Sequence, residues 1–495
     1  MLFKNIKNLI DKNEKKFFIE KINIINELIK KYCIKNKMDY DNISVDEDKV
    51  LLELKDIGVL DKKDDFNLLK KLVKLEYFDL FKSLTFYSNN KEKTNYCLEK
   101  FYNSYRKNKQ EERRNSNKPK IIDLFCGAGG FSWGFVREGY QIELANDIEA
   151  GTIETYRFNH PDLEANKVLN GDIKEIVNHI DDYVKTDIDV IIGGPPCQSF
   201  SSANQQRIID DPRNILYKYY VKAVEKIQPK FILMENVRGM IKVADQVVED
   251  FKKIDYDVKY KLYDSSDFSV AQKRVRLIYI GVRKDYSEKN SITPDVLMED
   301  IENELKEKKS FVLRDALENI KPLSCPKIKN TTEIDCEDSG KKIDINSYKD
   351  QSNDYIKLIN DNKEFDFVFN HKARYQNENN QKIYATLQQG SDSTCESIKE
   401  IMPYSHRNHV FKDKYFKLIE NVPCRTITAH MKMDCHSHIH PTQVRSLTPR
   451  EAARVQSFPD DYLFMGAYLK TYMQIGNAVP PLMGQVFAKI YKKYL

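Results

Sequence analysis

The stretch IIDLFCGAGGFSWGFVREG (121–139) decides the fold. An apolar run, IIDLF, ends in a turn that holds Gly127, Gly129 and Gly130, and a helical pattern begins directly behind it. Glycines at such a turn let the backbone bend sharply and let a ligand approach the main chain closely. Further short apolar runs come after it: QIELAND (141–147), DVIIGG (189–194), FILMEN (231–236) and RLIYIGV (276–282). Helical stretches lie between several of them, and this alternation predicts a parallel, doubly wound α/β sheet. Asp147 closes the second run, where an acidic side chain can accept hydrogen bonds from ribose hydroxyls. The turn departs from Gly-x-Gly-x-x-Gly, so a nicotinamide oxidoreductase is the weaker reading of it. Asp172, in GDI (171–173), also lies just past a strand-like segment, and on local sequence it reads first as a turn or helix-cap aspartate.

Upstream of this region the character is different. Before Pro119 there is no proline and a single glycine, Gly58. FFIEKINIINELIKKYCI (17–34) and FNLLKKLVKLEYFDLFKSL (66–84) space apolar residues three and four apart, which predicts helices in a unit separate from the strand-rich region. YRKNKQEERRNSNKPK (105–120) is polar throughout and reads as a linker or an exposed helix end. The first 120 residues carry an excess of Lys and Arg over Asp and Glu that the remainder lacks. With a net charge of only +5, this permits a polyanionic partner and equally a solvated basic surface.

Of the 495 residues, 41% are hydrophobic and 31% charged, as in a water-soluble globular chain. No stretch approaches the length of apolar sequence that spans a bilayer, and the amino terminus does not read as a secretory signal. A cytoplasmic protein is expected. The nine cysteines are scattered and contain no Cys-x-x-Cys pair, so reduced thiols are expected rather than a disulfide framework.

The run DVIIGGPPCQSFS (189–201) carries the chemistry. A buried strand ends in two glycines and two prolines, and Cys197 comes next on this constrained loop at the carboxyl edge of a parallel sheet. A structural thiol has no need of such a loop, whereas a nucleophile does. Glu235 ends the next apolar run, where a carboxyl so close to a hydrophobic strand end can have a raised pKa and donate a proton. Its plain alternative is a surface glutamate. Arg274 and Arg276 alternate in AQKRVRLIYIGVR (271–283) and so face one side of a strand, able to bind an oxyanion or a base edge, or else to solvate a strand edge.

FCGAGGF, GGPPCQS, ENV and QKRVR, then RSLTPREAARVQSFPDDY (445–462) and QIGNAVPPLMG (474–484), stand in the order found in the DNA cytosine carbon-5 methyltransferases. The chain resembles that family, in its bacterial restriction-modification form, strongly over 119–290 and 440–495 and weakly over 296–440.

The resemblance implies a class I, Rossmann-like catalytic domain at 119–295 completed by 446–495, a target-recognition domain at 296–445, and a helical accessory domain at 1–118 outside the match. It implies S-adenosylmethionine as cofactor, held by Phe125, Gly127, Gly129, Gly130, Asp147, Ile148, Asp172, Ile173, Pro196 and Asn477, with no metal. The last helix would fold back beside the first strand. Cys197 would add to carbon 6 of a cytosine flipped out of duplex DNA, Glu235 would hold or protonate ring nitrogen 3, and Arg274 and Arg276 would position the base. Many members carry Glu where this chain has Asp147. A companion endonuclease acting on the same site is a further implied partner, and the oligomeric state stays open.

Two rivals share the scaffold. A tRNA-modifying branch differs at the residue after Cys-Gln, which here is Ser199, and a non-catalytic DNA-binding protein would have lost Cys197, Glu235 or the glycine turn. Seven of the nine histidines lie in 371–440. The alternating His436, His438 and His440 would share one strand face, but without Cys-x-x-Cys pairs they point to DNA contact or plain structure rather than zinc.

Overall fold

Lys120–Leu124 is strand β1, at the centre of a seven-stranded sheet in the computed structural model. The structure describes residues 3–92, 113, 116–196, 216–329, 334–345, 352–403 and 414–495. The other strands are β2 (Gln141–Asp147), β3 (Val168–Asn170), β4 (Val190–Gly193), β5 (Phe231–Val237), β6 (Tyr256–Asp264) and β7 (Val275–Arg283). Their order is β3-β2-β1-β4-β5-β7-β6. Each apolar run singled out in the sequence is a strand.

The expected all-parallel sheet holds for β1 to β5 and fails at β7, which is antiparallel to both β5 and β6. The reason is chain length: 265–274 is too short to carry a parallel crossover, so β7 turns back between β5 and β6. The strand order reverses at β1 and β4. The carboxyl ends of these two strands, Leu124 and Gly193, therefore open onto the crevice where such sheets bind ligands.

The end of the chain closes the sheet. The helix Pro481–Lys492 lies on the helix Gly130–Arg137, and the contact needs glycine: a Cβ on Gly134 would sit 2.3 Å from the Gln485 nitrogen. Ahead of it, 445–462 is pinned by arginines that have no solvent exposure. Arg445 makes a two-pronged pair with Glu451 (2.7 and 2.6 Å), and Arg454 another with Asp460 (2.6 and 2.8 Å). Arg450 donates to the carbonyls of Phe369 (2.7 Å), Pro459 (2.8 Å) and Tyr462. This stretch, read in sequence as one motif among several, is a buried clasp.

Upstream, four helices form where the periodicity placed them: α1 (Lys12–Lys35), α2 (Glu47–Asp56), α3 (Phe66–Val73) and α4 (Glu76–Asn89). They are not separate from the rest. Their apolar core continues into Phe158, Ile343, Phe367, Phe369, Leu463 and Met465. Periodicity shows that a helix has an apolar face but not what covers it. The polar stretch 105–120 falls mostly outside the described residues; within it Arg113 pairs with Asp162 at 2.5 Å. The helix Pro294–Lys306 runs across the expected boundary at 295/296 and packs on β6, β7 and Pro481–Lys492. Beyond it, the antiparallel hairpin β8 (Gly340–Ile345) and β9 (Phe367–Lys372) lies between α1 and the helix Pro449–Val455.

The histidines of this region do not share a strand face. Residues 436–438 form a turn, and each ring finds its own partner. His436 Nδ1 bonds the Tyr384 hydroxyl (2.7 Å), and its ring stacks on Tyr415. His438 reaches Ser437 Oγ (2.9 Å) and the Thr426 carbonyl (3.2 Å). His440 Nδ1 accepts from the Thr442 and Gln443 nitrogens, both at 3.1 Å. His371 bonds Thr448 Oγ1 (3.0 Å) and the Lys321 carbonyl (2.7 Å). Burial pushes these imidazoles down, to about 4 for His371, His436 and His440 and to about 3 for His438.

This packing has two measurable consequences. Gly134→Ala should lower stability by about 3 kcal/mol, the upper range for overpacking, read as a fall in the urea midpoint. The four imidazoles gain protons on unfolding at pH values between their folded values and the ordinary 6.5, so stability should fall as pH drops through that window. Asp123, pushed up to about 7 by burial, works in the opposite sense, as do Asp147 and Asp267, which burial also pushes up, but they are three groups against four. An equal urea midpoint at about pH 5 and about pH 7.5 would contradict neutral burial of the rings.

Candidate active site

The turn after β1 is built on left-handed backbone. Phe125 (φ +55°), Gly127 (+53°) and Gly129 (+85°) all lie there, and for a phenylalanine this is an uncommon, strained conformation. The turn is held by its neighbours: the Cys126 nitrogen donates to the Asn146 carbonyl (2.9 Å) and the Gly127 nitrogen to Asp147 Oδ2 (3.0 Å). The three glycines divide. A Cβ on Gly127 would meet nothing within 4 Å, so this residue borders open space. At Gly129 it would fall 2.7 Å from the Tyr462 hydroxyl and at Gly130 2.3 Å from the Val479 carbonyl. Those two glycines let the returning chain approach, whereas Gly127 stays uncovered.

Asp147 is fixed from two sides, since its Oδ1 accepts from the Glu149 nitrogen (2.9 Å) while Oδ2 takes Gly127. Burial pushes its carboxyl up, against those two donors. Beside it Ile148 is 70% exposed. Asp172 caps the helix Ile173–Asn178 by accepting from the Lys174 nitrogen (2.9 Å), as its local sequence suggests, and Ile173 is buried beneath. Asn477 is exposed at the end of the helix Tyr468–Asn477, next to Ala478 and Val479, which cover Gly130. An open glycine, a carboxylate pinned at the second strand end and a bare apolar side chain beside it fit the adenosine half of S-adenosylmethionine. The glycine admits close approach, the acid suits ribose hydroxyls, and an adenine ring would cover Ile148.

The other side of the crevice gathers the ends of β4, β5 and β7. A Cβ on Gly194 would lie 3.1 Å from Glu235 Oε2, so the Gly-Pro-Pro turn sits directly on that carboxylate. Arg276 Nε holds the other oxygen, Oε1, at 2.8 Å. Asn236 Nδ2 donates to the Pro195 carbonyl (3.1 Å). Pro196 is exposed at the edge of the described residues, and Cys197, Gln198 and Ser199 lie outside them.

The two arginines, expected side by side, part company. Arg276 reaches Glu235, whereas Arg274 precedes β7 and is buried, its Nη1 donating to the carbonyls of Ile427 (3.0 Å) and Gly476 (3.1 Å). Burial, and then the charge of Arg276, push its guanidinium well below the usual range. Arg274 thus ties two distant segments, at Ile427 and Gly476, to the floor of the site.

Several residues that do such tying have no evident role in the sequence. Besides Asn236, Gln272 bridges Gln456 Oε1 and the Ile427 nitrogen, each at 2.7 Å. Asp123 is buried under the glycine turn, where Tyr156 donates to it at 3.3 Å. A lone acid inside the apolar run IIDLF was the available signal for Asp123. An amide directly after a strand-end acid was the signal for Asn236.

The family model for C-5 cytosine-specific DNA methylase matches residues 119–493. The Type II methyltransferase M1.HphI of Haemophilus parahaemolyticus is 32% identical over 384 residues, covering 75% of this chain and 86% of that protein. The Type II methyltransferase M.DdeI of Desulfomicrobium norvegicum is 31% identical over 398 residues, with 74% and 87% covered. A crystal structure described as a DNA modification methyltransferase encoded within an E. coli prophage is similar with a TM-score of 0.57 at 26% identity, over 76% of this chain and 99% of that one.

Proposed function

The chain belongs to the C-5 cytosine-specific DNA methylase family, and from that premise we propose which of its residues perform the reaction and where it reads its target. It is a DNA (cytosine-5-)-methyltransferase and takes its methyl group from S-adenosylmethionine. Residues 1–118 lie ahead of the match.

Carbon 5 of cytosine is too weak a nucleophile to take a methyl group unaided. In the proposed reaction the Cys197 thiolate adds to carbon 6 of a base flipped from the duplex, and the ring becomes enamine-like at carbon 5. Glu235 holds ring nitrogen 3 through the addition and Arg276 fixes the carboxylate that does so. Arg274 acts as a positioning residue beneath them. Bound S-adenosylmethionine supplies the electrophilic methyl, and Phe125, Gly127, Asp147, Ile148 and Asn477 bind and orient it. Gly129, Gly130, Asp172, Ile173 and Pro196 shape the same walls. A base then takes the carbon-5 proton, the electron pair re-forms the ring double bond, and Cys197 leaves as thiolate. The single observation that carries this reading is the stacking of the Gly194–Pro196 turn on Glu235, with Arg276 on the acid and Asn236 on the turn. That arrangement supports a nucleophile at 197 beside a carboxylate already held in place.

Recognition of the target sequence we assign to 296–445, on the segments that the catalytic sheet does not need. The relatives are named Type II methyltransferases, which supports a protective role beside a companion endonuclease. No helix among the described residues is long and apolar enough to cross a membrane, and a cytoplasmic site of action fits that role.

Incubation with S-adenosylmethionine and duplex DNA containing 5-fluorocytosine should trap a covalent adduct, because fluorine cannot leave as the proton does. Cys197→Ala should form none, should lose methyl transfer, and should still bind DNA; transfer at the wild-type rate would remove Cys197 from the mechanism. Glu235→Gln should lower kcat by about a hundredfold or more. Exchange of 296–440 with a relative's segment should change the sequence that bisulfite sequencing finds methylated. An unchanged target would move recognition elsewhere.

A further inference from the structure

We infer that the amino-terminal helices brace the cofactor cleft, and that the buried pair Lys21–Glu154 is the positioning contact through which they do so. The inference rests on the proposed S-adenosylmethionine site and extends it to residues that precede the family match.

The helix Ala150–Asn159 starts just beyond Asp147 and Ile148, so its placement sets that wall of the cleft. Lys21, on α1, lies 2.5 Å from Glu154 in the middle of this helix, and the two side chains are 7% and 12% exposed. Glu154 also pairs with Arg157 at 2.7 Å. Burial by itself would push the Glu154 carboxyl up, but Lys21 and Arg157 together bring it below its ordinary value. A pair this deep is not a solvent-screened surface contact, and removing one partner unbalances a buried charge cluster.

Two neighbouring residues of α1 reach both walls. The Phe17 ring lies 3.7 Å from where a Gly151 Cβ would be and 3.8 Å from where one on Gly466 would be. Gly151 is in the first turn of Ala150–Asn159, and Gly466 stands one residue ahead of Ala467, the N-cap of the helix that ends at Asn477. Glu20 Oε1 accepts from the Gly466 nitrogen (3.0 Å) and pairs with Lys342 of β8. The walls are joined behind it. Thr155 Oγ1 takes the Met465 nitrogen (2.9 Å) and donates to Gln474 Oε1 (2.7 Å), on the helix that carries Asn477. One face of α1 therefore bears on the Asp147 wall, the Asn477 wall and the hairpin. Ile22, Ile25, Leu28, Leu54, Leu80 and Leu84 are buried among the helices, in the core that runs on into Phe158, so one polar contact at its edge can be lost without dissolving it.

The test measures S-adenosylmethionine and S-adenosylhomocysteine binding to the full chain by calorimetry. A second readout is the fluorescence of Trp133, the single tryptophan, which lies behind the glycine turn against His160 and Tyr462. Lys21→Met and Glu154→Gln should each raise Kd about tenfold, within the usual range for coupling between separated sites. KM for the cofactor should rise with them, while kcat at saturating cofactor holds. Lys21→Arg, which keeps the charge, should bring Kd back to within about twofold of wild type. Leu28→Ala serves as the control, since it should lower Tm through the helical core and leave Kd in place. The brace is overturned if Lys21→Met binds as the wild type does, or if Leu28→Ala weakens binding as much as Lys21→Met. A wild-type chain that bound no cofactor at all would remove the site assignment and the brace together.

Discussion

Three arginines with no contact to water hold this molecule in register. Arg445, Arg450 and Arg454 lie on or just ahead of the helix Pro449–Val455, and each donates to carboxylates or carbonyls, those of Leu323, Phe369 and Glu318 coming from other segments. A guanidinium removed from solvent is tolerated only when its donors are matched, so each one fixes the position of whatever supplies the acceptors. Arg450 fixes β9, Arg454 fixes the turn at Asp460, and Arg445 holds Glu451 at the head of the helix. The capping box between Thr448 and Glu451 uses that same carboxylate, so the start of the helix and the ion pair stand or fall together.

From that clasp the site is assembled by close approach. Tyr462 donates to the Ala128 carbonyl, Val479 lies over Gly130, and Gly476 gives its carbonyl to Arg274. The glycine turn and the two strand ends at Gly193 and Glu235 belong to the sheet, but the other wall comes from the far end of the chain. The crevice is therefore formed between two parts of the sequence rather than carved into one. The amino-terminal helices bear on both parts.

Much of this architecture is legible in the sequence. Strands β1, β2, β4, β5 and β7 can be read because each is a short apolar run bounded by glycine or a polar turn, whereas β6 (YDVKYKLYD) mixes charged residues with apolar ones and goes unread; the helices can be read because their apolar spacing is regular. The cofactor turn can be read because three glycines in four positions have few structural uses. The features that stay hidden depend on partners remote in sequence. The direction of β7 is set by a connection too short for a crossover. The separate fates of Arg274 and Arg276 are set by Ile427 and Gly476, which no local pattern brings near them. His436, His438 and His440 alternate as a strand would, yet a turn scatters them, since their hydrogen bonds go to Tyr384, Thr426 and the backbone at 442 and 443. That Tyr462 and Val479 pack against Gly129 and Gly130 is likewise not visible in the local pattern.

The helix Pro481–Lys492 closes over Phe131 and Phe135 in the first helix of the sheet domain. During synthesis those rings emerge hundreds of residues before the surface that covers them. A nascent chain must therefore carry an open apolar groove until residues 481–492 have left the ribosome, and such exposure invites chaperone capture or aggregation. Closure of the sheet in this architecture waits for 481–492, and a polypeptide terminated ahead of them leaves those rings bare.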